Sequence, residues 1–460
     1  MLINPRFSLL TALGVAVTLG FGLAARPSAN LQASAQINSF ELASVFEVED
    51  ATDGANLSAE IVAATKDGKT LIYTDAVAGN VGFVDISDPN SPQADGNLTP
   101  PNGGEPTSVA VTPNGKWALV AVHDDGAGYL WVIDLIDFTT ETTVALTGAA
   151  PYAFAQPDSV AISPNGRYAA IAIENERDED VSDGLMPQEP AGFLAIVDLV
   201  GPPSNWDVRF VRMVGIADRF ASDPEPEFVD INNLNLAAVT LQENNHIVIV
   251  NLRNGKVVSD FSAGNSVHKA DLLDDDSEPA KFDQWLNARR EPDGIAWTPL
   301  GMLATANEGD YDLDADFVGG RDFAIFSTWG WVVAQPFSSM EKAIDAAGLY
   351  NDGRSDAKGV EAEGMEIEKY GGKHFMFVGG ERCKCVVVYE LEWGGWPKLV
   401  QVLDINDDDS DGERPEGLLA IPQRGLFVTA NEGDGGDPPG TISIFKGVTN
   451  TPAVRQFSAD

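Results

Sequence analysis

Seven times along the chain, a short apolar run meets a turn built from Pro, Asn or Gly and is answered by a second apolar run. Four copies align closely: SVAVTPNGKWALVAVHDD from Ser108, SVAISPNGRYAAIAIENE from Ser159, GIAWTPLGMLATANEGD from Gly294 and GLLAIPQRGLFVTANEGD from Gly417. EIVAATKDGKTLIYTD from Glu60, FVDINNLNLAAVTLQENN from Phe228 and GMEIEKYGGKHFMFVGGE from Gly364 follow the pattern more loosely. Each copy has the length and turn chemistry of a β-hairpin. Repetition of one supersecondary unit restricts a chain to architectures in which neighbouring copies bury each other's faces.

Each hairpin is followed by a further strand of period-two alternation, from NVGFVDIS at Asn80 to TISIFKG at Thr441. Several units add a fourth, such as VRFVRMV at Val208 and KLVQVLDI at Lys398. Units of three to four antiparallel strands, with no convincing run of helices, describe an all-β chain: a seven-bladed β-propeller with blades of about four strands. Residues 36–460 are expected to form one such domain, and a parallel sandwich or solenoid is the competing architecture. An open ring would leave sheet edges unpaired. FELASVFEVED from Phe40 resembles the fourth strand around Lys398, so it is expected to enter the seventh blade and close the ring from both chain ends. AVRQFS near the C-terminus is the rival for that outer position.

Residues 1–35 read as a signal peptide. Arg6 supplies a positive start, Ser8 to Ala25 is uncharged and apolar, and Ala33-Ser34-Ala35 offers small residues for cleavage. An uncleaved membrane anchor is the competing reading. No second apolar run follows, so the mature chain is not expected to be membrane-embedded, and export places it in the periplasm or outside the cell. Losing residues 1–35 removes Arg6 and Arg26 and no acid, moving the net charge from −41 to −43. Such a chain repels nucleic acid and attracts divalent cations. Its two cysteines, Cys383 and Cys385, sit at i and i+2. On a strand they would share a face, so two partly buried thiols are expected rather than a bond.

A second regularity lies inside the repeat. Eight residues before the turn glycine or its equivalent stand Glu60, Thr107, Asp158, Glu227, Asp293 and Glu363, and Glu416 follows with a turn one residue longer. The second strand then ends in another acid: Asp75, Asp124, Glu174 with Glu176, Glu243, Glu308, Glu381 and Glu432. In an antiparallel hairpin the start of one strand and the end of its partner lie at the same end. Both sets are therefore expected around the channel mouth on one face. Crowded carboxylates raise one another's pKa unless cations neutralise them, and hard divalent ions such as Ca²⁺ suit oxygen ligands. The plain alternative is that these acids cap turns between blades. Asp407, Asp409 and Asp411, followed by Gly412, match the opening of a calcium loop, although Leu418 stands where the closing Glu is expected. The other acidic stretches, Glu176 to Asp183, Asp271 to Glu278 and Asp310 to Asp316, read as connecting loops, the second of them serving solubility.

The motifs Ala306-Asn307-Glu308-Gly309-Asp310 and Ala430-Asn431-Glu432-Gly433-Asp434 resemble those of the choice-of-anchor I family of secreted bacterial propellers, related to YVTN and WD40-like repeats. IENERDEDVSDG from Ile173, VTLQENNHIVIVNL from Val239 and FVGGERCKCVVVYEL from Phe377 extend the likeness over most of the chain. The resemblance implies a seven-bladed propeller, and it implies little about chemistry. Relatives are often classed as alkaline phosphatases or joined to a phytase-like domain, and no such extension follows the seventh unit here. On an enzymatic reading, a calcium-dependent phosphoric ester hydrolase, cations held by the acids bind phosphate oxygens. Arg177 and Arg382 then clamp the phosphoryl group, and His123 transfers a proton. Pro157-Asp158-Ser159 is not counted as a nucleophile, because Gly294, Gly364 and Gly417 occupy the repeat position of Ser159. The alternative is a non-catalytic module that binds a surface glycan or protein through the propeller face. N-terminal sequencing of exported protein is expected to begin at Gln36; a start at Met1 would favour the retained anchor.

Overall fold

The computed structural model of the 460-residue chain describes residues 36–48, 57–177, 181, 185–274, 280–309, 319–393, 395–405, 414–433 and 439–449. The signal segment, the Asp407, Asp409 and Asp411 loop, and AVRQFS lie outside the described residues.

Seven antiparallel sheets of four strands each follow one another along the chain. The first six span residues 62–98, 105–145, 156–212, 226–262, 292–334 and 362–404. In each, the first strand lies innermost, against the first strands of both neighbouring blades. The ring closes where the inner strand Val62–Ala64 meets Arg414–Ile421 of blade 7. Blade 7 takes its outermost strand, Ile37–Glu47, from the other end of the chain, paired antiparallel to Thr441–Thr449. Closure from both ends was the expectation, and the structure has it.

The repeated turn explains why the hairpins form. Gly68, Gly115, Gly166, Asn235, Gly301, Gly371 and Gly425 all have positive φ, between 58° and 75°. That left-handed region favours glycine and tolerates asparagine, so one backbone requirement recurs in every blade.

Among the described residues there is no single central core. The apolar clusters fall between successive blades, one at each of the seven seams. Alternation along a strand decides the partner: in Tyr168–Glu174, Ala169, Ile171 and Ile173 face blade 2, while Tyr168 and Ala170 face blade 4. Strands with both faces covered read as continuous apolar runs rather than as an alternating pattern. At the closing seam, Phe40 packs edge-on against Tyr370, Phe375, Phe377 and Phe427 at centroid distances of 5.1 to 6.4 Å.

Two features depart from the repeat. A hairpin, Asn265–Ala270 with Gln284–Arg289, intervenes between blades 4 and 5. Helix α1, Ser339–Ala346, follows blade 5 and sets Glu341 against His268 of that hairpin, 3.5 Å apart and both buried.

Two expectations need correction. Cys383 and Cys385 are joined in a disulfide. Cys383 lies in the turn between Lys373–Gly380 and Cys385–Glu392, where Lys384 has a φ of 49°. The strand alternation assumed for the pair therefore does not apply, and their Cα atoms stand 5.2 Å apart. Asp271 is not a solvated loop acid: it is buried and accepts the backbone N–H groups of Leu273 and Lys281. Phe40→Ala is expected to cost about 3 to 5 kcal/mol in urea unfolding, the usual range for a buried phenylalanine; a loss below about 1 kcal/mol would show that the terminal strand does not close the ring.

Candidate functional site

Every hairpin presents its two acid positions to the same end of the ring. Gln156 stands opposite Glu174, Pro292 opposite Asn307, Ala362 opposite Gly380 and Arg414 opposite Glu432. The inner strands are irregular at that point. In blades 2 to 7 a register shift falls across Thr107, Asp158, Glu227, Asp293, Glu363 and Glu416 in turn. A bulge leaves one residue unpaired and re-aims its side chain, here into the channel. Proline precedes five of these six residues, at Pro106, Pro157, Pro226, Pro292 and Pro415. Lacking an N–H, proline fits where the ladder is interrupted. This Pro-acid pair was a sequence signal of the bulge and went unread.

The seven inner positions come together around one cavity of about 250 Å³, joined by Glu308, Glu432 and Gln242. The residue after each acid sets how closely the inner strands approach. A Cβ on Gly294 would lie 2.4 Å from the carbonyl oxygen of Glu363, and one on Gly417 the same distance from that of Glu60. Blades 2 and 3 carry serine instead. Ser108 Oγ accepts the N–H of Val160, and Ser159 Oγ accepts that of Val229. Ser159 thus bridges two blades, as its repeat position implied.

The ring is strongly charged against itself. Burial and the charge of Glu432 push Glu60 up to about 8. Burial and Glu176 raise Asp158 to about 7. Glu227, Asp293, Glu363 and Glu416 are pushed well above the carboxylate range by burial first, and then by Glu174, Glu308, Glu416 and Glu432 respectively. Oxygens of Asp293, Glu308 and Glu363 lie within 4.8 Å of one another. Glu308 is neutralised by Lys358 at 2.8 Å and also accepts from Gln242 at 2.6 Å. Among the described residues, Asp293 and Glu363 have no ion pair, and Glu363 Oε2 is buried without a hydrogen bond.

A second cavity of about 450 Å³ opens beside the ring and gathers Asp158, Glu174, Glu176, Glu227 and Glu243 with His123 and Arg177. Burial and Asp158 raise Glu174 well above its usual range. Glu381 shares with Glu308 and Glu361 a group of carboxylate oxygens within 4.8 Å of one another, in an ionic cluster that sequence reading did not foresee. Its hub is Glu361, two residues before Glu363 and fully buried. Arg354 approaches Glu361 at 2.6 Å, Arg382 at 3.0 Å and Lys358 at 3.6 Å. Burial opposes ionisation of Glu361, but its hydrogen bond with Glu381 and these cations hold it at about 2. Glu381, pushed up to about 8 by burial and Glu361, meets Arg382 and Arg414, each at 3.2 Å. Arg382 is therefore committed to two carboxylates. Asp75 accepts the N–H groups of Ser58 and Ala78, a capping role.

Seven closed antiparallel blades around an acid-lined channel mouth define a seven-bladed β-propeller. The chain belongs to the choice-of-anchor I family, whose domain model matches residues 60–324 and 314–393. Virginiamycin B lyase from Staphylococcus aureus, solved as an inactive variant with quinupristin, is similar in fold, with a TM-score of 0.53 and 11% identity. That match covers 89% of this chain and 100% of the lyase chain. The Swd1 propeller domain from Myceliophteria thermophila gives a TM-score of 0.51 at 13% identity over 89% of this chain and 100% of its own. Kuenenia stuttgartiensis hydrazine synthase gives 0.51 at 14%, over 84% and 94%. At these identities the likeness concerns the fold alone. No curated protein matches the sequence. Among the described residues, no helix is long and apolar enough to cross a membrane.

The raised acids make stability depend on pH with a definite sign. Glu60 and Asp158 hold protons in the folded chain up to about 8 and about 7, against ordinary values of 4.5 and 3.8. The folded state binds more protons between those limits, so this stabilisation is complete below the ordinary values and is lost as pH rises through the folded ones. In EDTA, the thermal midpoint is expected to fall by about 5 °C between pH 5 and pH 8.5. A midpoint that rises over that interval would contradict the buried ring.

Proposed function

We propose that the chain is an exported propeller whose acid-ringed mouth binds divalent cations, above all Ca²⁺. One observation carries this reading: Asp293, Glu308 and Glu363 bring carboxylate oxygens within 4.8 Å of one another, and among the described residues only Glu308 of the three has a cationic partner. Removing carboxylates from water and crowding them is costly unless a proton or a cation compensates. Three oxygen donors converging on a small, acid-lined cavity fit a hard ion that completes its coordination with water. Lys358 already supplies one positive charge on the outer side of Glu308, leaving Asp293 and Glu363 to face the cavity. Bound there, Ca²⁺ supplies positive charge for the oxygens of an anionic ligand. The reading of residues 1–35 as a signal peptide supports export.

Phosphoric ester hydrolysis is the second reading, and it is favoured by the side cavity, which gathers His123 and Arg177 beside Asp158 and Glu176. There Arg177 would hold phosphate oxygens and His123 would move a proton, while Arg382 has no part because Glu361 and Glu381 engage it. A non-catalytic module binding a glycan or protein through the same face is the remaining use of the mouth.

Calorimetric titration of EDTA-stripped protein with Ca²⁺ is expected to show uptake that strengthens from pH 5.5 to pH 8, because the ligands must lose protons to bind. Asp293→Asn with Glu363→Gln is expected to weaken binding at the mouth by more than about tenfold, since affinity follows ligand charge. No uptake by the purified chain would end the cation reading. Phosphate release from an aryl phosphate, with and without Ca²⁺, decides the second: activity must vanish in EDTA and in His123→Ala, or hydrolysis is no function of this site.

A further inference from the structure

Glu308 belongs to both groups of converging carboxylates, one with Asp293 and Glu363 and the other with Glu361 and Glu381. Each of its oxygens is engaged by the protein. Oε1 accepts from the Lys358 ammonium at 2.8 Å, and Oε2 accepts from the Gln242 amide at 2.6 Å. Lys358 has a second carboxylate in reach, with Glu361 Oε2 standing 3.6 Å from the same nitrogen. The ammonium therefore sits between the interior of the ring and the ionic cluster at its rim.

The backbone that carries this charge is pinned. Lys358 lies in the segment between helix α1 and the inner strand of blade 6, Ala362–Tyr370. Buried Arg321 donates to the Ser355 and Ala357 carbonyls of that segment, at 2.9 and 2.6 Å. The chain at Gly319 closes on it as well, since a Cβ there would lie 2.6 Å from the Lys358 carbonyl oxygen. A flexible four-carbon stem on a fixed base can still exchange one carboxylate for the other.

An ion held by Asp293, Glu308 and Glu363 meets the Lys358 ammonium at Glu308. Two positive charges on one carboxylate repel, and at a part-buried site they do so more strongly than in water. With no ion bound, the same ammonium relieves the crowding of the acids. One residue thus stabilises the empty ring and opposes the filled one.

We infer that Lys358 is a tethered competitor of the divalent cation, holding Glu308 while the mouth is empty and withdrawing towards Glu361 when an ion takes that carboxylate. The inference rests on the cation reading of the mouth and names the residue that sets its affinity. Glu361, which already engages Arg354 and Arg382, receives the displaced charge.

The test uses the full chain, stripped with EDTA and titrated calorimetrically with Ca²⁺ at pH 7.5. Wild type, K358M, K358Q and K373M are compared on the uptake that D293N/E363Q lacks. Lys373 is the matched control: its ammonium meets Glu390 at the same 2.8 Å, and its side chain is equally exposed at 18%. It stands at the turn end of its hairpin, away from the mouth. K358M and K358Q are expected to bind Ca²⁺ at least about tenfold more tightly than wild type, and K373M within about twofold of it. In EDTA the thermal midpoint of K358M is expected to fall at least about 2 °C below wild type, and saturating Ca²⁺ to raise it by more. A lysine with a merely structural part would lower the midpoint without tightening the binding. Wild-type affinity in both Lys358 variants would overturn the inference and leave the cation reading standing. Uptake absent from wild type and every Lys358 variant removes that reading and the inference together, whereas uptake by K358M alone supports the competitor. K358Q, which keeps an amide donor for Glu308, carries the comparison if K358M does not fold.

Discussion

The antiparallel pairing of Ile37–Glu47 with Thr441–Thr449 holds the ring shut, and each other part of the molecule presupposes a closed ring. Each blade buries both of its faces, one against the blade before it and one against the blade after. A toroid with a gap would expose two of these apolar faces together. The seal is also fastened sideways: the Gln401 side chain accepts the N–H of Phe40 at 2.8 Å and donates to its carbonyl at 2.9 Å, tying blade 6 to the last strand of blade 7. Phe40 then fills the seam beneath that amide.

Closure is what converts one modest local habit into a site. A single bulge with a carboxylate is unremarkable, but repeated around a circle it places Glu60, Asp158, Glu227, Asp293, Glu363 and Glu416 within one small cavity. The arrangement is not evenly balanced. Around Glu361 and Glu381, Arg354, Lys358, Arg382 and Arg414 compensate the acids. Asp293 and Glu363 receive no such partner among the described residues. Internal cations thus buttress the rim next to the ring, while the crowded acids inside it are held towards their protonated forms.

Much of this was legible because it rests on period and position. The left-handed turn residue recurs with a nearly fixed offset to the acid, so counting back from Gly68, Gly166 or Gly301 found the ring without any knowledge of packing. What escaped has no period. Glu361 gains its meaning from Arg354, Lys358 and Arg382, which reach it through tertiary contacts that spacing does not encode. The hairpin Asn265–Ala270 with Gln284–Arg289 sits between blades 4 and 5 and is not repeated between other blades among the described residues. The disulfide was misjudged because a strand was assumed where Lys384 turns the chain. Acids at the ends of second strands proved mixed: Asp75 caps a turn, whereas Glu308 joins the cluster.

Borrowing the outer strand of blade 7 from the chain's beginning has a kinetic corollary. Ile37 pairs with Thr449, so the earliest strand to be synthesised finds its partner only when nearly the whole polypeptide has appeared. Loop-closure entropy and synthesis order both delay so remote a contact, whereas the other six blades can each assemble from adjacent sequence. Until then Phe40 and its neighbours travel unsheltered, and the acid circle lacks its final arc. The acid-ringed mouth is therefore the last thing the nascent molecule acquires, arriving in one step with the seal.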